Sequence, residues 1–332
     1  MSKERNTQID SLKFFLIFLV LVGHCLDIGL SSHYNSALFR FIYSFHMPVF
    51  VILSGIVFRT KNLKDLLLGG EVLVSSYLIF QLLYGGKVLA YSDGSIVDFW
   101  IHGFFYNLTH LYDPADGLWY LVSLYFWRLF LNCSDRVFQN KIPLHLGLAL
   151  VTSLFAGFVP IGREMSFQRT FAFYPLFVLG YYLRDYYEKL RNIPRIIPIG
   201  VIFVYVVIVV LNDVPPIRIL LQRIPYNISH LLSSILGRCF FYVWVVPVSL
   251  SVIAAFPDIK YFAQEGSRTL FYYMYHMFFV LLFRYMVVNT SLECDLLTVF
   301  AYATASFFVM RQMRKVPLFT FLTSTHVPLR KS

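Results

Sequence analysis

Residues 10–55, DSLKFFLIFLVLVGHCLDIGLSSHYNSALFRFIYSFHMPVFVILSG, decide how the chain reads. Leu12 to Leu30 is an almost unbroken apolar run of membrane-spanning length, yet it carries Lys13, His24 and Asp27. The next run carries Arg40 and His46. Wound as a helix at about 100° per residue, the first run sets Asp10, Lys13, His24 and Asp27 within an arc of about 100°, so one face holds all its polarity. Lys13 and His24 lie roughly 16 Å apart along the axis and about 20° apart around it. That spacing suits a cation near one membrane surface and an imidazole deep in the bilayer. Four such groups together in hydrocarbon imply a hydrated or protein-lined cavity.

The composition fits this stretch. The 332 residues are 58% hydrophobic, 19% aromatic and only 14% charged, with a mean hydropathy of +0.65, too apolar for an ordinary soluble domain. The N-terminal MSKERNTQID carries two acids and no small-residue cleavage site follows the apolar run, so that run is expected to stay as a helix. Cys25, Cys133, Cys239 and Cys294 are scattered without metal-ligand spacing and predict neither a disulfide framework nor a zinc site. Further apolar runs near 36–58, 65–84, 118–131, 144–159, 170–186, 196–211, 231–256, 270–288 and 296–310 make ten expected spans. The fold expected is an all-α, polytopic membrane helix bundle of about ten transmembrane helices. No repeat, low-complexity tract or linker interrupts it, so residues 1–332 read as one domain.

A net charge of +10 would suit a nucleic-acid partner if the basic residues formed one patch, but they sort by side of the membrane. With the N-terminus inside, eighteen lysines and arginines fall in inner segments. Only five, Lys87, Arg163, Arg169, Arg218 and Arg223, fall in outer ones. The expectation is a multi-pass protein of the cell (inner or plasma) membrane with both termini cytoplasmic. Among the outer segments, 85–117 is rich in aromatics and carries His102, His110, Asp113 and Asp116. Such groups hold a sugar by stacking and hydrogen bonding, and they equally make an interfacial aromatic belt with a solvated loop.

Five blocks carry a family resemblance: RNTQIDSLKFFLIFLVLVGH, IYSFHMPVFVILSG, LWYLVSLYFW, FYPLFVLGYYLRD and SRTLFYYMYHMFF. Together they resemble the acyltransferase-3 family of integral membrane acyltransferases, and most closely its fucose 4-O-acetylase-like branch. The resemblance implies a helix bundle that moves an acyl group, usually acetyl from cytoplasmic acetyl-CoA, onto a hydroxyl of a cell-surface glycan or its lipid-linked precursor. It implies no metal or prosthetic group. The family's basic residue with ten residues between it and a histidine falls on Lys13 and His24. Most members carry arginine at the first of these, and lysine lacks arginine's bidentate fork, so Lys13 is expected to act as a point charge.

On this resemblance His24 is the expected general base, since neutral imidazole suits removal of a hydroxyl proton. Asp27, one turn on, either orients that ring or lines the outer mouth. His46 sits two residues before Pro48, which frees a carbonyl near residue 44; it either binds substrate or oxyanion or bonds that irregular backbone. His276 reads as a core histidine. Ser54 and Gly55 read as a small-residue helix contact. Acetyl-CoA brings phosphate charges, which makes Lys13, Arg59, Arg128 and Arg184 the candidate donor-binding residues. On the acceptor side the candidates are Arg40, which either snorkels to headgroups or meets an anionic acceptor, Trp119, which either stacks on a sugar or belongs to the aromatic belt, and Asp116. The rival function is a proton-coupled transporter or lipid-linked glycan flippase, because intramembrane His, Asp and Lys also serve proton relays. The absence of an inverted repeat counts against it.

Overall fold

The computed structural model describes residues 6–29, 33–84, 105–114, 117–138, 141–211, 216–290 and 292–323. Its long helices are α1 (Thr7–Leu26), α2 (His33–Val57), α3 (Leu63–Leu83), α4 (Trp119–Phe138), α5 (Ile142–Ala156), α6 (Phe167–Leu183), α7 (Ile196–Val210), α8 (Leu231–Ala255), α9 (Thr269–Asn289) and α10 (Leu296–Met313). Side chains start several of them. Asn6 accepts from the Ile9 N–H at 3.0 Å, Asn62 from Asp65 at 2.8 Å and Asp295 from Thr298 at 2.7 Å, each satisfying a backbone donor the helix leaves over. The Thr298 amide also holds the Asp295 carboxyl below the usual carboxylate range.

The all-helical membrane architecture stands. Each of the ten apolar runs lies on one of these helices, but six helices are long and apolar enough to cross a membrane, and α6 with α7, bent by 110°, would make a seventh span. Helices α5 and α7 have 15 residues each, short of the roughly 20 that a bilayer core needs, while α4 carries Arg128, Asn132, Asp135 and Arg136.

Helices α1 and α2 form the centre. The first packs on α2, α9, α10 and the short helix Lys260–Gly266; the second packs on α6 and α8. Apolar side chains cover the outside, among them Phe155, Ile196, Phe203 and Val210, as lipid contact requires. Polar groups are instead buried. Gln8 donates to Ile253 O and Phe256 O, both at 3.1 Å, and Ser11 to Ile259 O at 2.8 Å, so the start of α1 is tied to the turn after α8. Gly266 lies against the Asp10 carbonyl, where a Cβ would have no room. Where α2 crosses α6, Gly55 and Gly180 bring the two backbones into direct contact, the small-residue contact expected of Gly55.

An ion cluster ties the end of α10 to the short helix Lys260–Gly266 and to α9. Glu265, 3% exposed, accepts from Arg314 at 2.5 Å and from Tyr272 OH at 2.5 Å, and pairs with Arg311 at 3.2 Å. Removing one partner of a buried ion pair costs roughly 3 to 5 kcal/mol, and Arg311 retains solvent here. Glu265→Gln is therefore expected to destabilise the detergent-solubilised protein by about 2 kcal/mol, read as a fall in its thermal unfolding midpoint. An unchanged midpoint would mean the cluster is not stabilising.

Candidate active site

Two cavities of about 470 Å³ each run into the bundle. The first, at the Leu26 end of α1, is lined by His24, Asp27, His46, Trp119 and Arg169. The second, at the Thr7 end of α1, is lined by Lys13, Ser54, Arg59, Tyr120 and Arg128. Met47 and Tyr273 line both, so the cavities meet across these two side chains. Lys13 and His24 share the helix face the sequence predicts, but each opens into its own chamber.

In the histidine chamber, His46 is 3% exposed and its Nδ1–H donates to Ile42 O at 2.7 Å. The carbonyl freed by Pro48 is that of Ser44, so His46 bonds a carbonyl two residues before that freed group. With the proton on Nδ1, the neutral ring presents Nε2 as an acceptor. Such a ring takes a proton and does not donate to an oxyanion. Tyr43 packs edge-on against it at 4.7 Å between centroids.

His276, on α9, reads from the sequence as a core histidine, yet its ring centroid lies 5.6 Å from that of His24. It is fully buried; Nδ1 donates to Tyr273 O at 2.6 Å, and Nε2 has no hydrogen-bond partner among the described residues. Gly117, at φ +99°, covers it: a Cβ there would stand 3.4 Å from His276 Cε1 and 3.0 Å from Met277 Cγ, and the backbone is one that favours glycine. The Gly117 carbonyl accepts from the Tyr273 hydroxyl, which fixes that ring between the two chambers. The rule that an ionisable residue inside a span is a site candidate by default would have found His276.

Asp27 begins a short 3₁₀ turn, Asp27–Gly29, and is exposed at the chamber edge. Trp119 carries the Arg169 guanidinium over its ring at 4.6 Å. Arg40 lines neither cavity, and Asp116 lies outside the described residues.

At the mouth of the second chamber, Arg59 and Arg184 both donate to Phe58 O, at 3.0 and 2.9 Å. Burial, and then the neighbouring Arg184 guanidinium, pull the Arg59 pKa below its ordinary value. Two like charges sharing one carbonyl form a receptive place for an anion. Arg184 does not line the chamber itself; it stacks on Tyr181 at 4.7 Å and pairs with exposed Asp185. Ser54 Oγ and Tyr120 OH are 2.5 Å apart in the chamber wall. No group of three or more His, Cys, Asp or Glu among the described residues could hold a metal ion.

Comparison with known proteins bears on this arrangement. The acyltransferase-3 family, described as an acyltransferase domain, matches residues 6–310. Nodulation protein NolL of Mesorhizobium japonicum is similar at 24% identity over 185 residues, 54% of this chain and 48% of that protein. The chain thus spans about half the length of this curated relative. No solved structure matches. Since the family match takes in α1 to α9, both chambers and every histidine around them, the chain belongs to the acyltransferase-3 family, and its several spanning-length apolar helices make it a multi-pass membrane protein.

Proposed function

We propose that the protein is an integral membrane O-acetyltransferase. It takes acetyl from acetyl-CoA on the cytoplasmic side and places it on a hydroxyl of a cell-surface glycan or lipid-linked saccharide, as the fucose 4-O-acetylase-like branch would. The observation that carries this reading is the pair of chambers, both lined by basic side chains and one of them also bearing histidines, meeting at Met47 and Tyr273. The eighteen-to-five division of basic residues supports a cytoplasmic position for both termini, and so for the Lys13 chamber, with 1–332 acting as one domain.

In this mechanism Arg59 and Arg184 meet the donor's phosphates, Arg128 and Lys13 line its path, and the thioester reaches the septum. The roughly 16 Å between Lys13 and His24 is comparable to the reach of a pantetheine arm. The acceptor enters the other chamber with its sugar on Trp119. His24 removes the hydroxyl proton as oxygen attacks the thioester carbonyl, forming the C–O bond. The C–S bond then breaks, and the thiolate leaves as CoA with the proton from the imidazolium. His46 and His276, each fixed through Nδ1 to a backbone carbonyl, hold the basic face of this floor. Asp27 lies at its open edge.

The donor half is tested by binding. At a CoA concentration about 100 times Kd, linkage predicts a stabilisation of about 2.7 kcal/mol for folded protein in detergent. Arg128→Ala and Lys13→Ala are expected to weaken it, and added salt to reduce it. Folded wild-type protein showing no shift with millimolar CoA would remove the donor assignment.

A further inference from the structure

Three of the five basic residues on the sparsely basic side, Arg163, Arg169 and Arg223, converge on a single recess. The recess itself measures about 20 Å³ and is otherwise lined by Pro114, Trp119, Gly162 and Ser166, so a group larger than a water sits at its mouth, in the wider chamber that the same arginines line. Trp119 and all three arginines also line the histidine chamber, so the recess is a side pocket of that chamber. Charge sorting across the membrane works against arginines here, so it gives no reason for their meeting.

The recess is built rather than incidental. Arg169 Nε donates to Leu221 O at 3.1 Å while its guanidinium lies over Trp119. Gln168 and Gln222, the neighbours of Arg169 and Arg223, accept from the buried Arg238 at 3.0 and 2.9 Å, which locks both segments to α8. The non-glycine residues with left-handed backbone among the described ones are Met165, Ser166 and Gln222, all beside these arginines. Such strain persists where the surroundings over-determine a geometry, and it gathers at ligand sites. Asp113 approaches Arg163 at 3.8 Å, and Glu164 accepts from the Gly162 amide at 2.8 Å. No carboxylate among the described residues lies within ion-pair distance of Arg223.

We infer that the mouth of this recess is an oxyanion subsite for a phosphoryl group carried by the acceptor, which anchors the saccharide while its hydroxyl reaches the histidine floor. One guanidinium fork satisfies a planar carboxylate; three forks from separate segments match the several oxygens of a tetrahedral phosphoryl group. This rests on the reading of the histidine chamber as the acceptor side. The phosphoryl group does not react, so its loss weakens acceptor binding and leaves the acyl-transfer step intact.

The test uses full-length protein in detergent micelles, with thermal unfolding as readout and farnesyl diphosphate, farnesol, inorganic diphosphate and phosphatidylglycerol as probes. Farnesyl diphosphate is expected to stabilise wild type, farnesol not, and inorganic diphosphate to compete. Arg223→Gln and Arg163→Gln should each lower the apparent affinity about tenfold or more, since hydrogen bonds between charged groups are among the strong ones. Stabilisation of the unliganded variants close to wild type, with their CoA response retained, shows that they fold. The subsite is overturned if farnesyl diphosphate acts no better than farnesol, or binds both variants as it binds wild type. Phosphatidylglycerol matching farnesyl diphosphate in an Arg223-dependent way would make the source a bulk lipid headgroup and overturn the acceptor assignment. A farnesyl diphosphate response without any CoA response in wild type would defeat the acyl-transfer reading and leave the subsite standing.

Discussion

His24→Ala is expected to lower acetylation of the surface saccharide, per folded molecule, by roughly 10² to 10⁴, the contribution of a positioned general base. Expression, unfolding midpoint and CoA binding should stay near wild type, because His24 sits in a chamber wall and the proposed donor-side residues lie beyond Met47 and Tyr273. A merely structural histidine would behave the other way, with loss of folded protein accounting for loss of product. The measurement is acetyl content of surface saccharide against folded enzyme, in wild type and in His24→Ala, His46→Ala and His276→Gln strains. Full product per folded molecule in His24→Ala would refute the mechanism. The two other variants separate the floor's parts: His46→Ala removes a ring held at Ile42 O, and His276→Gln replaces an imidazole lying 5.6 Å from His24.

The largest stability effect is expected at a glycine. In Gly180→Ala the new Cβ falls on the Ile52 carbonyl, and backbone cannot step aside as a flexible side chain does. The α2–α6 crossing must widen, at a cost of about 3 kcal/mol or more. Because α2 carries His46 and α6 carries Arg169, activity per folded molecule should fall too. Gly200→Ala on α7 is the control: its Cβ meets nothing within 4 Å, and alanine's helix propensity predicts a neutral to slightly stabilising change of up to about 1 kcal/mol. Equal unfolding midpoints for the two variants would show that the close crossing is not under steric constraint.

The sequence made the helices legible because lipid imposes one rule on every span, and apolar runs of fixed length obey it. It also made the polar face of α1 legible, since helical phase follows from spacing alone. What it left hidden depends on contacts between distant segments. Nothing near Tyr273 announces that it closes one chamber against another, because that role arises from its hydroxyl reaching Gly117 across the bundle. His276 looked like a core residue until α9 was set against α1. Arg163, Arg169 and Arg223 were visible only as a minority in a charge count, and their meeting depends on Gln168, Gln222 and Arg238. Arg40 read as a site residue from its place near a helix end, and the packing of α2 leaves it out of both chambers.

The septum of Met47 and Tyr273 has an electrical consequence. In the proposed orientation one chamber equilibrates with the cytoplasm and the other with the exterior, so the membrane voltage falls mainly across two side chains. At 100 mV a proton crossing there is driven by about 2.3 kcal/mol. In that orientation a thioether and a tethered phenol ring serve as an insulator, thin enough for the proposed acyl group to be handed across. The proposed reaction would thus join the two sides of a membrane chemically while keeping them apart as the plates of a charged capacitor.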